Sequence, residues 1–145
     1  MDYREHAKDL LKRKNSLVSA YSAIKEELYA LENERSVCKA AIARAEAEGR
    51  DSSVYEDRLI NLLADLEDCR FRKSVVEREL KKLEKGLESL NEYQRELLDA
   101  FFSAPMRYTA EELMQKWFKE RSTVYRDKAI ALEQFTRSVY GLVQL

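Results

Sequence analysis

The sequence predicts an all-α fold, a long antiparallel coiled-coil helical hairpin followed by a small helical bundle, and three observations lead there. Glycine and proline are scarce: the 145 residues hold three Gly and one Pro, where average usage would supply roughly 17 between them. Charged residues make up 37% of the chain, the level of long helices washed by solvent. Apolar residues recur at alternating steps of four and three over most of the first ninety positions, the period of a helix that keeps one seam against a partner.

The first helix is expected over about residues 2–47. Its seam runs Tyr3, Ala7, Leu10, Lys14, Leu17, Tyr21, Ile24, Leu28, Leu31, Arg35, Cys38, Ile42 and Ala45, with eleven of the thirteen positions apolar. At 1.5 Å per residue this is a rod of roughly 65 Å. The stretch Glu48-Gly49-Arg50-Asp51-Ser52-Ser53 interrupts it. Ser53-Val-Tyr-Glu56 has capping-box spacing and should open a second helix over about 54–90. The second seam is as regular: Tyr55, Leu59, Leu62, Leu66, Cys69, Lys73, Val76, Leu80, Leu83, Leu87 and Leu90.

A short connection between long helices makes them antiparallel neighbours. A turn near Gly49 pairs Ala45 with Tyr55, Ile42 with Leu59, Cys38 with Leu62, Leu31 with Cys69, Ile24 with Val76 and Leu17 with Leu83. The two cysteines then lie in layers seven residues apart, about 10 Å, too far for a disulfide. They read as reduced core thiols, with no second Cys or His at metal-ligand spacing. Lys14, Arg35 and Lys73 stand on the seams. Their stems can pack inward while the charge reaches water, and isolated polar seam residues can also fix register. Leu11, Val18, Val37, Ile60, Leu63 and Val75 flank the seams and widen the apolar stripe, which favours pairing of two hairpins or packing of the first helix on the C-terminal part.

Residues 91–145 form the second expected domain, after 1–90. Nine of the fourteen aromatic residues fall there, so this part needs a compact core. Asn91 can cap a helix through Phe102 that buries Leu97, Leu98, Phe101 and Phe102. Ser103-Ala-Pro105-Met-Arg breaks it, and Thr109-Ala-Glu-Glu112 is a capping box for a short helix carrying Leu113, Met114 and Trp117. A tight connection around 118–121 leads to a last helix from about Ser122 through Tyr140, with Gly141 as its stop. Val124, Ala131, Leu132, Phe135 and Val139 face inward. Gly86 falls inside a helix with no assigned purpose.

Three helices with a tight second connection have a helix-turn-helix layout. The stretch Glu112-Leu-Met-Gln-Lys-Trp-Phe-Lys-Glu-Arg-Ser-Thr-Val-Tyr-Arg126, followed by Ala131-Leu132, resembles the helix-turn-helix of sigma factors in the region that reads the upstream promoter element. With Leu90-Asn-Glu-Tyr-Gln-Arg-Glu-Leu-Leu before it and Phe135-Thr-Arg-Ser-Val-Tyr-Gly141 behind it, the segment is similar to phage-encoded late-transcription regulators of the ArpU and RinA type. The resemblance spans roughly 89–142 and leaves out the rod. Met114 replaces a small residue of the pattern, Phe118 the turn glycine, Lys119 an apolar residue, Glu120 the serine cap and Asp127 an apolar residue.

In that register Val124 points into the core and Arg121, Ser122, Thr123, Tyr125 and Arg126 lead the exposed face of the last helix. Arginine can hold guanine O6 and N7 with two hydrogen bonds, Ser and Thr bond base edges or phosphate, and Tyr packs on a thymine methyl. Lys119, Lys128 and Arg137 are candidate phosphate contacts. The resemblance therefore implies a regulator that touches double-stranded DNA, with RNA polymerase as a second candidate partner; homo-oligomer formation through the coiled coil is expected from the widened apolar stripe of the rod.

Charge tempers this expectation. The chain carries a net −1, and residues 91–145 balance eight basic against eight acidic side chains, so a lone module would bind DNA weakly and would need assembly or a partner. A DNA-packaging small terminase subunit, which combines a helix-turn-helix with a helical oligomerisation segment, and a coiled-coil adaptor that binds protein remain open beside the regulator. Catalysis is not expected: there is one His and no Gly-rich phosphate loop or Cys-x-x-Cys pair. No cofactor or metal is expected. No run approaches 18 apolar residues and the first residues hold no apolar signal core, so the expected location is the cytoplasm, away from membranes.

Overall fold

The computed structural model describes residues 1–105 and 110–144, and all regular structure among them is helical. Helix α1 spans Tyr3–Lys12, α2 Lys14–Ala47, α3 Ser53–Glu88, α4 Glu92–Leu98, α5 Ala110–Trp117 and α6 Arg121–Tyr140, with a π-helical turn at Asp99–Ser103 after α4. The long pair α2 and α3 forms the expected antiparallel hairpin. The backbone divides into two compact units, one of residues 19–77 and one of residues 1–18 together with 78–145.

In the 19–77 unit the seams fall where the four-three spacing puts them, except that Tyr55, expected opposite Ala45, is exposed next to the turn. Ile24, Cys38, Ala45, Leu62, Leu66 and Cys69 are buried, and the remaining α2 seam residues from Tyr21 to Ile42 are half-buried. Polar bonds cross between the helices on either side of this core: Arg72 to Glu27 at 2.8 Å, Arg58 to Glu34 at 2.9 Å and Arg70 to Glu32 at 3.7 Å. The Cys38 thiol donates to the Tyr55 carbonyl at 3.0 Å and the Cys69 thiol to the Ile24 carbonyl at 3.6 Å. Both cysteines are free and buried. Burial pushes the Cys69 thiol pKa up, so it behaves as a small apolar residue and not as a thiolate.

The hairpin turn is set by one left-handed residue. Gly49 has φ +67°, its N–H bonds the Glu46 carbonyl at 3.2 Å, and the Arg50 N–H bonds the Ala45 carbonyl at 2.8 Å. These two bonds close α2 in the Schellman pattern. The opening of α3 differs from the expected Ser53–Glu56 box. Ser53 is already helical, and the Asp51 carboxylate accepts from its N–H and its hydroxyl, each at 3.0 Å. Those two bonds hold the Asp51 carboxyl below its usual pKa. The Ser52 hydroxyl reaches Glu56 at 3.1 Å.

The unit made of 1–18 and 78–145 is a helical cluster around α6. Asp2 caps α1 by accepting from the N–H groups of Arg4 and Glu5. Ala7, Leu10 and Leu11 of α1 are fully enclosed, with Tyr3 tilted against Tyr140 of α6 at 5.3 Å between ring centres. Leu11, expected beside the seam, is thus a core residue of this unit. The regular helix is interrupted at Arg13, although the Arg13 N–H still bonds the Asp9 carbonyl at 3.1 Å and its carbonyl accepts from the Leu17 N–H at 2.9 Å; its guanidinium pairs with Asp9 at 3.1 Å and Glu79 at 3.6 Å. Lys14, half-buried at its seam position, pairs with the half-buried Asp99 at 3.5 Å, so its charge meets a carboxylate where the seam reading expected water.

Gly86 acquires a reason. A Cβ at this position would stand 2.6 Å from Val139 Cγ2 and closer still to the ring of Phe135. Glycine therefore lets α6 lie directly on the end of α3, with Phe135 fully buried there. The Ser138 hydroxyl donates to the Lys85 carbonyl at 3.2 Å beside the contact. Gly141, at φ +67°, ends α6, and the Leu142 N–H bonds the Arg137 carbonyl at 3.0 Å.

Asn91 caps α4 in a full capping box with Gln94. The last turn of the expected 91–102 helix is π-helical: the Ala104 N–H bonds the Asp99 carbonyl at 2.7 Å. One extra residue in a hydrogen-bonded turn shifts which side chains face inward. Ala100 and Ser103 are buried, whereas Phe101 and Phe102 are half-buried. The buried Ser103 hydroxyl is satisfied by the Leu11 carbonyl at 3.0 Å.

Candidate nucleic-acid interface

Leu97, Ala100, Leu113 and Val124 form the small core on which α5 and α6 rest, with Tyr93, Phe101, Met114 and Trp117 packed around it. Val124 is fully enclosed, as the expected register requires. That fixes which residues of early α6 face out. The Thr109 cap expected for α5 lies outside the described residues.

Three residues, Phe118, Lys119 and Glu120, separate α5 from α6. Phe118 occupies the position of the turn glycine and adopts φ +54°. The Lys119 N–H bonds the Met114 carbonyl at 3.0 Å, so the helix ends by the same hydrogen bond that follows Gly49 and Gly141. Phenylalanine keeps the tight turn at the cost of a left-handed backbone that bulky residues seldom adopt. Its ring is 93% exposed. Glu120 precedes α6 with extended backbone and makes no side-chain cap bond.

The candidate residues divide by what they touch. Lys119 lies over the Tyr93 ring at 5.6 Å, and Lys128 over Phe101 at 4.9 Å and Tyr125 at 5.2 Å. Arg121 stands over Tyr125 at 5.7 Å and pairs with Glu111 at 3.0 Å. Tyr125 itself packs on Phe101, ring centres 5.4 Å apart. Thr123 is half-buried. Ser122 and Arg126 are exposed and make no side-chain hydrogen bond or ion pair among the described residues. Arg137, the third phosphate candidate, is held by Glu133 at 2.6 Å.

The sequence pattern missed the side chains that hold this surface in place. The Tyr93 hydroxyl donates to Asp127 at 2.8 Å, which accounts for an acid where the sigma-factor pattern has an apolar residue. Burial, and next the bond to Asp127, push the Tyr93 phenol pKa far above its usual value, so it stays a neutral donor. On α5, Trp117 Nε1 and Lys116 Nζ both bond Glu96, at 3.0 and 2.8 Å. Asp127 in a helical apolar position was the available signal; its partner lies 34 residues away.

Among the described residues no group of three or more His, Cys, Asp or Glu could hold an ion. No helix among them is long and apolar enough to cross a membrane. Compared with protein-family models, with curated proteins and with solved structures, the chain matches none.

Proposed function

We propose that this protein is a DNA-binding transcriptional regulator of the phage or prophage late-gene type, similar to the ArpU and RinA regulators. It contacts promoter DNA through α5 and α6 and assembles through its coiled coil. The observation that carries the reading is the exposed start of α6, where Ser122 and Arg126 are unengaged and Lys119, Arg121 and Lys128 stand on aromatic rings, directly after a three-residue turn. A helix presented this way suits the major groove.

Assembly belongs to the same proposal. Residues 91–145 carry no net charge, so one module gains little from phosphate attraction. Two modules joined in one particle gain by effective concentration. Val37 and Ile60 of the hairpin are 70% and 64% exposed, which supports a homo-oligomer. RNA polymerase is the second proposed partner and the cytoplasm the proposed location. Solution mass separates this regulator from the large ring expected of a packaging subunit.

The test is binding to mixed-sequence duplex DNA at low salt by the wild type and by the Arg121→Ala, Arg126→Ala double variant. The variant should bind much more weakly with unchanged helicity and melting, because both side chains are exposed. Equal binding would remove the claim.

A further inference from the structure

We infer that α6 enters the major groove apex first, with Arg126 as the residue that reads a base and Lys119 and Lys128 as clamps on the two phosphate backbones. This rests on the DNA-binding reading above and assigns different work to residues that the reading treats alike.

The argument is angular. At 3.6 residues per turn, Arg126 stands about 160° around the helix from Val124, which is fully enclosed. Arg126 is therefore close to the outermost line of α6, with Ser122 one turn before it. Tyr125 and Asp127 lie about 160° apart, on opposite flanks. Each flank carries a cation: Lys128 over Tyr125 and Phe101 on one, and Lys119 over Tyr93, the donor to Asp127, on the other. A helix seated in a groove turns its outer line to the base edges and its flanks to the two strands.

Chemistry agrees with position. A guanidinium that reads guanine needs both donors of its fork directed at O6 and N7, and Arg126 makes no competing bond among the described residues. Arg121, the other arginine at this end, is committed to Glu111 at 3.0 Å. A lysine resting on an aromatic face keeps its ammonium near one place and retains N–H donors for a phosphate oxygen. Of the two carboxylates between these cations, Asp127 is occupied by Tyr93, and Glu120 stands exposed just before the helix begins. Two turns beyond Arg126 the outer line meets Glu133, paired with Arg137, so the contact ends within the first three turns of the helix.

The experiment uses the full chain. Sequences bound from a random duplex pool are selected with the wild type and with Arg126→Ala, Lys119→Ala and Lys128→Ala, and affinity for the selected site and for an unselected duplex is followed against salt. Arg126→Ala should lose about ten- to a hundredfold of preference at one base pair, with its salt slope and its affinity for the unselected duplex unchanged. Each lysine variant should weaken both duplexes alike and lower the salt slope by about one. The inference is overturned if Arg126→Ala lowers the slope and leaves the selected sequence intact, or if a lysine variant changes the selected sequence. If the wild type selects no sequence and binds the pool no better than an unrelated neutral protein of its size, the DNA-binding reading itself falls and takes this inference with it. Melting curves of all three variants, each at an exposed or half-buried position, confirm that they are folded.

Discussion

The 19–77 unit and the unit of 1–18 with 78–145 solve the same problem, burying apolar surface between helices, in opposite ways. In the first, buried residues recur along both seams, Ile24, Cys38 and Ala45 on one and Leu62, Leu66 and Cys69 on the other, with half-buried residues between them. In the second, α6 closes on α3 through one glycine, with Phe135 and Val139 against it. A repeated seam spreads its stability over many layers, whereas a close approach concentrates it at one place. The second kind of core therefore tolerates less change in volume.

Substitutions can break or sharpen that contrast. Phe135→Ala should have the largest effect, a loss of about 3–5 kcal/mol, read by denaturant unfolding, with amide protection falling across residues 78–140. Leu66→Ala, at an equally enclosed seam position, should confine its loss of protection to 19–77. Next comes Gly86→Ala. Alanine favours a helix by about 1 kcal/mol over glycine, yet the added methyl meets Phe135 and Val139 and overpacking costs about 1–3 kcal/mol. A net loss in melting temperature is expected, and a gain would show that the close approach is not needed.

Phe118→Gly reverses the sign. Relief of the left-handed backbone is worth about 1–2 kcal/mol, and the greater freedom of the unfolded chain takes back about 0.4–1. A small rise in melting temperature should result. Arg72→Ala removes two exposed ion pairs, to Glu27 and Asp68, and should cost less than about 1 kcal/mol at low salt and nothing measurable at high salt.

The last effect is absent at neutral pH. The Tyr93 phenol has a raised folded-state pKa, so its contribution is whole below the ordinary phenol value of about 10 and is lost as pH climbs through the folded value. Stability should fall in alkali, and Tyr93→Phe should make that fall shallower.

The seams were legible because heptad spacing is a local signal: both long helices and the buried core of the hairpin follow from it directly. Gly49 and Gly141 were legible as stops because left-handed backbone selects glycine. Gly86 could not be read, since its reason lies on α6, about fifty residues further along the chain. Nor could the enclosure of Leu11, which depends on packing in a unit that draws residues from both ends of the chain. At the candidate interface the exposed residues of early α6 were visible, but their division was not. Which cation rests on a ring, which is paired and which is unengaged depends on Tyr93, Phe101 and Glu111, all on other elements. The missing turn glycine was visible as well; that phenylalanine would take the glycine's conformation was not.

The central claim, that early α6 is the DNA-contacting surface, is tested most directly by following backbone amide resonances of the full chain as a mixed-sequence duplex is added at low salt. The account predicts saturable shifts concentrated at residues 119–128, with the seam residues Ile24, Cys38, Leu66 and Cys69 unmoved. Shifts that avoid 119–128, or no shifts at all, would contradict it.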